Sequence, residues 1–377
     1  LATVAGAGAG GEDVLEAVDE PDDDALDRAR DRLHRMGVPV ARRPPLHAVL
    51  ARSGAGDVLM LSVNHAAGDA FAAVEVLVAV ARAYAPDDAG AGGAPLDFLA
   101  THALPFGPAP GPRSRLMRVH KRGVERLRDL LAPPALLTAD EPDEQSGYGF
   151  HLVTVPAEET SRLLAPGATE PGRTAVMTAL HLAIGDWHRR HGGPGRRVGV
   201  LGTVDLRPHP WRPATIGNFS MTARVSTTPY QRARADRALR AVNAQTTRNK
   251  RTRTGIALIA ALDRAGLLPL WVSQSVVVLR PVTHNRFVDT AVLCNLGSVE
   301  APAFGPEAGE TLGLWCSAPA RSPHALSVGV TTAGGRLHLT FRYPHRLFGA
   351  AAARRFAACY LAQLRAVVEA QGRAEGR

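Results

Sequence analysis

The sequence predicts an α/β (α+β) protein, because strand-like and helix-like stretches interleave through both halves of the chain. Three observations carry this expectation. Short apolar runs, such as Val58–Val63 and residues 150–155, are bounded by turn-forming residues, as strands are. Longer stretches repeat apolar residues at helical spacing; Val176, Leu180, Ile184 and Trp187 fall on one stripe of residues 174–190. At 377 residues the chain is too long for one ordinary core, so two domains are expected.

The first 20 residues are small, glycine-rich and then acidic, and are expected to be loose. Residues 22–36 have helical character. Strands are expected at 46–50 and Val58–Val63, separated by the turn Ser53-Gly54-Ala55-Gly56-Asp57. Residues 69–84 then read as a helix, with Phe71, Val74, Leu77 (or Val78) and Ala81 on one face. A Gly/Pro/Ala-rich crossover over 86–112 and a basic helix over 113–131 follow. Residues 133–149 carry turn and acidic residues without periodicity and read as a linker. The second half predicts a strand at 150–155, helices at 157–164 and 174–190, and strands at 197–206 and 218–227. Helices near 231–248 and 256–268 precede strands near 289–294 and 312–317. Ala333-Gly334-Gly335 then supplies the turn of a hairpin between 325–332 and 336–343. A last helix from 350 to about 369 presents Phe356, Tyr360, Leu364 and Val367. The expected lobes are therefore 1–132 and 150–377, joined by 133–149.

Composition narrows the class. Hydrophobic residues make up 45% and charged residues 21%, as in globular proteins that live in water. No run of about 18 uncharged apolar residues offers a membrane-spanning helix. The three cysteines have no CxxC spacing and no even count, so free thiols in a reducing cytoplasm are the plain reading. The start lacks both a methionine and a signal pattern, and reads as an interior position of a longer precursor. A net charge of +9 suits an anionic partner. Acidic residues concentrate in 12–27 and basic ones in 232–253, the latter explicable as a solvated helix face. Nucleic-acid binding is not expected: zinc-ligand spacing, an aromatic RNP-like motif and a dense basic tail are all missing.

The chemically informative segment is Asn64-His65-Ala66-Ala67-Gly68-Asp69, at a strand end just before a helix. One His-x-x-x-Asp pair is what chance supplies in a chain with 14 histidines, so spacing alone decides nothing. Context adds weight. Loops at strand ends are where rigid scaffolds hold catalytic groups, and the small residues beside His65 leave room for a substrate. An imidazole can accept a proton at neutral pH, help worth about 10²- to 10⁴-fold in rate. Asp69 is placed to cap the following helix by accepting from backbone near Ala72. A structural histidine at 65 is the competing reading of the residues. Two further clusters stand at strand ends: Asp205-Leu206-Arg207-Pro208 with Gly217-Asn218-Phe219-Ser220, and Cys294-Asn295-Leu296-Gly297-Ser298. Each alone is ordinary loop chemistry.

Together, in this order, the three segments resemble the condensation-domain superfamily, with its His-x-x-x-Asp-Gly hallmark. That group includes condensation domains of nonribosomal peptide synthetases, mycobacterial polyketide-associated acyltransferases and wax ester synthases. The resemblance covers essentially the whole chain. It implies two chloramphenicol-acetyltransferase-like lobes arranged as a V with a tunnel between them, and an acyltransferase in secondary-metabolite or lipid biosynthesis. His65 would be the general base, with Asp69 and Arg207 as structural support. Asn64, Gly68, Ser220, Asn295 and His324 would be tunnel residues. The donor would be a thioester of CoA or of a phosphopantetheine-bearing acyl carrier protein, and the acceptor a hydroxyl or amine. The resemblance implies neither a metal nor a permanently bound cofactor. Three departures qualify it: Asn64 stands where many peptide-forming relatives have a second histidine, Ala70 replaces the glycine of the hallmark, and the Asp-Phe-Gly-Trp-Gly motif of plant relatives is missing. They favour a stand-alone ester- or amide-forming enzyme, with an inactive carrier-docking module as the alternative. Relatives also carry a first helix and strand ahead of the segment matching Leu1; that piece is expected to have been removed or to sit on another chain.

Overall fold

A computed structural model describes residues 14–19, 22–39, 44–54, 56–85, 131–144, 147–164, 169–207, 216–251, 288–319 and 326–375. The expected crossover at 86–112, most of the helix at 113–131, and the helix at 256–268 lie outside them. The chain folds as two compact units, each assembled from separated stretches. Unit 1 draws on Leu1–Asp97, Arg207–Phe219 and Pro302–Thr311; unit 2 on Phe98–Leu206, Ser220–Ala301 and Leu312–Arg377.

Unit 1 is a three-stranded sheet, β1 (Leu15–Asp19), β2 (Leu46–Arg52) and β3 (Val58–Val63), in that order, with helices α1 (Asp23–Arg35) and α2 (Ala70–Tyr84). β1 runs parallel to β2, and β2 antiparallel to β3. The strand β1 corrects the expectation of a loose N-terminal stretch at residues 15–19; residues 1–13 lie outside the described ones. Its five residues, with Glu16 and Asp19 among them, are mostly exposed, so no apolar alternation marks them as a strand; pairing to β2 orders them. α1 begins where Asp22 caps it, its carboxylate accepting from Ala25 N at 2.7 Å, and buries Ala25, Leu26, Ala29 and Leu33 along one face.

Unit 2 holds a six-stranded mixed sheet in the order β4-β9-β8-β7-β5-β6. Its strands are β4 (Tyr148–Val155), β5 (Val198–Asp205), β6 (Ser220–Thr227), β7 (Ala291–Ser298), β8 (Leu326–Ala333) and β9 (Arg336–Pro344). Its helices are α3 (Ala157–Leu163), α4 (Thr169–Arg190), the short α5 (Pro229–Arg232), α6 (Ala235–Arg251) and α7 (Ala350–Glu375). The predicted helix over 231–248 is thus two helices, α5 and α6. The β8–β9 turn is the predicted Gly334-Gly335, both at positive φ (56° and 72°), the requirement of a two-residue turn that matches strand twist.

The core of unit 2 lies between one sheet face and helices α4 and α7. Leu180 and Ile184 of α4, Phe341 of β9, and Phe356, Tyr360 and Leu364 of α7 are fully buried in it. The Tyr360 hydroxyl avoids an unpaired burial by donating to the Val176 carbonyl at 3.1 Å. Two expectations need correction here. Residues 133–144 do not hang between lobes but pack into unit 2. Leu137 joins its core, Ala135 N donates to the Arg197 carbonyl at 2.7 Å, and Trp187 Nε1 donates to Thr138 O at 3.0 Å. Proline and acidic residues hid this, because the segment is held by scattered backbone bonds rather than a periodic face. Residues 312–317 carry no regular secondary structure and join no ladder; Thr340 Oγ1, a side chain, bonds the Cys316 carbonyl instead.

Candidate active site

Every bond of this site lies within unit 1. β3 ends at Val63, and the chain turns through Asn64–Ala67, with the amides of Ala67 and Gly68 donating to the Asn64 carbonyl at 2.8 and 3.1 Å. Asn64 is committed to this turn: its Nδ2 donates to Val38 O at 2.6 Å and its Oδ1 accepts from Ala66 N at 2.9 Å. Gly68 is buried against its neighbours. A Cβ there would fall 3.1 Å from the Ala72 Cβ and 3.2 Å from the Val63 Cγ1, so the glycine serves close packing. Asn64 and Gly68 both hold the turn together.

His65 is half-buried at the crest of the turn. Its Nδ1 lies 3.2 Å from the Gly68 carbonyl. A carbonyl oxygen only accepts, so that contact puts the proton on Nδ1 and leaves the lone pair on Nε2, the basic nitrogen. The His65 carbonyl is itself held by Asn218 Nδ2 at 2.6 Å.

Asp69 anchors the arrangement. Its side chain caps α2 by accepting from Ala72 N at 3.0 Å, as the sequence suggested. It also takes both prongs of Arg207, Nη1 to Oδ2 at 2.8 Å and Nη2 to Oδ1 at 2.7 Å, and accepts from Phe219 N at 2.9 Å. The pair is almost wholly buried, with side chains 2% and 1% exposed. Arg207 Nη2 reaches on to the Gly217 carbonyl at 2.8 Å, and its guanidinium lies over the Phe219 ring, 4.9 Å from the centroid. A bidentate, desolvated pair of this kind joins residues 138 apart in sequence and pins 216–219 beside the His65 turn. Loss of the peripheral strap is a mild test: N218A removes the hydrogen bond to the His65 carbonyl, at an exposed position. We expect a stability loss of about 1 kcal/mol or less in chemical denaturation, with a larger effect on turnover than on folding.

Sequence reasoning passed over Glu75. Burial on α2 pushes its carboxyl up from the ordinary range, opposed by the charges of Arg82 and Arg207. A lone glutamate within the apolar run 70–81 of that helix was the available signal. Ser220 and Asn295 belong to unit 2. Ser220 opens β6, and the Asn295 Oδ1 accepts from Gly297 N at 2.9 Å across a register shift in β7, a local turn role. His324 lies outside the described residues.

The chain shares its fold with solved condensation and epimerization domains. The first condensation domain of the calcium-dependent antibiotic synthetase, solved with a substrate analogue, superposes with a TM-score of 0.61 at 16% identity, over 97% of this chain and 78% of that one. The epimerization domain of the third module of tyrocidine synthetase B gives 0.59 at 16% identity, over 94% and 79%. The SgcC5 protein from Streptomyces globisporus, in complex with a naphthyl ethanediol and sucrose, gives 0.53 at 18%, over 94% and 80%. In sequence, two uncharacterized proteins from two strains of Mycobacterium tuberculosis are 29% identical over 357 residues, 92% of this chain and 80% of theirs. No protein-family model matches the chain. One fold here carries condensation and epimerization domains, so the reaction has to be argued from the site.

Proposed function

We propose that the protein is an acyltransferase of condensation type. It moves an acyl group from a CoA or carrier-protein thioester to a hydroxyl or amine, in natural-product or lipid biosynthesis. The observation that carries this reading is the orientation of His65: its Nδ1 is satisfied by the Gly68 carbonyl, which leaves Nε2 as the base. Nε2 takes the proton of the acceptor as its oxygen or nitrogen attacks the thioester carbonyl. A tetrahedral intermediate forms, and its collapse expels the thiol, which regains the proton from the imidazolium. Asp69 and Arg207 touch each other and the backbone, and the four bonds at Asp69 leave it no part as a proton carrier; they position the turn. The chemistry needs no metal or resident cofactor, because the thioester is already activated toward acyl transfer.

The test is free-thiol release from a panel of acyl-CoA and acyl-pantetheine thioesters, each with alcohol and amine acceptors. H65A should lower turnover by about 10²- to 10⁴-fold while donor binding, measured separately, stays within about twofold. An H65A variant that turns over like the parent sinks the reading and leaves a docking module.

A further inference from the structure

Residues of β8 and β9 alternate between two faces of the unit 2 sheet. Val328, Val330, Leu339 and Phe341 belong to the apolar core under the helices, so Gly329, Thr331, His338 and Thr340 face the other way. The segment 312–318 reaches this second face at Cys316. Thr340 Oγ1 donates to the Cys316 carbonyl at 2.6 Å, and Thr331 Oγ1 to the Cys316 sulfur at 3.6 Å. Cys294 of β7 is the register partner of Gly329 on the parallel neighbour, which sets its side chain on the same face. A Cβ at Gly329 would fall 3.2 Å from the Cys316 Sγ and 2.3 Å from the Cys316 carbonyl oxygen. Glycine is therefore what lets the Cys316 sulfur settle onto the sheet next to Cys294, and the two thiols share a hydrogen bond. The third cysteine, Cys359, is elsewhere: its thiol donates to the Asp186 carboxylate at 3.4 Å.

We propose that Cys294 and Cys316 form an oxidisable dithiol, a modification site at which hydrogen peroxide closes a reversible disulfide between β7 and segment 312–318. One thiol loses its proton and its sulfur attacks the peroxide O–O bond, giving a sulfenic acid and one water. The second thiol then attacks the sulfenic sulfur. The S–O bond breaks, the S–S bond forms, and the hydroxyl leaves with the second thiol's proton as another water. The two sulfurs give up two electrons and the peroxide accepts them; a thiol reductant reverses the result. The shared proton and burial both push the Cys316 thiol well up from its ordinary range, so the reaction is slow at neutral pH and speeds up as pH rises. The bridge closes a loop containing Pro302–Thr311, the stretch that unit 1 takes from this part of the chain.

The inference is independent of the acyl-transfer reading and is tested without a substrate. The full chain is treated with hydrogen peroxide, its remaining thiols are alkylated, and its peptides are mapped by mass spectrometry. The expected product is a Cys294–Cys316 cross-linked peptide lacking two hydrogens, absent after dithiothreitol. Its rate of formation should rise about tenfold per pH unit, in step with the thiolate fraction. In C294S, Cys316 should go on to sulfenic or sulfinic acid with no cross-link. The proposal is overturned if both thiols stay open to alkylation in the native protein, if each is oxidised separately, or if the cross-link involves Cys359. The wild-type map decides alone should the variant fold poorly.

Discussion

Replacing Asp69 with alanine is expected to lower the stability of the protein by about 3–5 kcal/mol, the usual consequence of breaking a buried ion pair from one side. The reason is asymmetry. Asp69 accepts four hydrogen bonds, two from Arg207 and one each from the amides of Ala72 and Phe219. Its removal leaves a guanidinium in a place where the side chain is 1% exposed, without the carboxylate that takes both its prongs. It also strips the N-cap from α2, worth about 1 kcal/mol by itself. Asp69→Asn keeps the shape and part of the capping but not the charge, and should fall between parent and D69A. A second change that removes the stranded cation, as in D69A/R207M, should recover a large part of the loss. Chemical denaturation of the four proteins checks this. A D69A loss below about 1 kcal/mol, the range of exposed pairs, contradicts the picture of a dry clamp. The same variants should lose turnover beyond their loss of folded protein, because 216–219 and the His65 turn share that anchor.

Acid should weaken unit 2 well before its carboxylates titrate. Burial, reinforced by the charge of Arg232, pushes His181 down to about 3 and His188 down to about 4. Burial also lowers His338, helped by Arg336. All three are held neutral in the fold but charge freely when unfolded, so the unfolded state binds more protons between the folded and unfolded values. Stability is therefore complete above about pH 6.5 and falls as pH drops toward the folded values. From His181 alone, a change to pH 5 costs about 2 kcal/mol, at about 1.4 kcal/mol per pH unit. His188 and His338 add to it with the same sign. His181→Asn should flatten the slope by about one histidine's share, since it removes the titration. Urea titrations at pH 7 and pH 5 read this directly, and equal stabilities at the two values rule it out.

The local chemistry of the site was legible without coordinates, and its assembly was not. Asp69 announces an N-cap because a carboxylate before an apolar helix has amides to satisfy, whatever the rest of the chain does. The hairpin at Gly334-Gly335 was legible for a similar reason: a two-residue turn needs positive φ, and glycine adopts it freely. The contacts that Asn64 and Gly68 make within the turn were not legible in the sequence. Nothing in their identity says which neighbours will take up their hydrogen bonds or fill their space. β1 was missed because two of its five residues are acidic, and its order comes from a partner strand some 30 positions away.

What the chain determined by itself is everything that depends on neighbours within a turn or two: helix periodicities, caps, the hairpin turn, and the presence of His65 at a strand end before a helix. The tertiary structure alone decided which distant groups meet. The Asp69–Arg207 clamp, the seating of residues 133–144 in unit 2 and the meeting of Cys294 with Cys316 over Gly329 are all of this kind. The physical reason is burial. An ion pair, a thiol contact or a backbone bond between remote segments depends on which surfaces exclude water together, and that is a property of the packed whole.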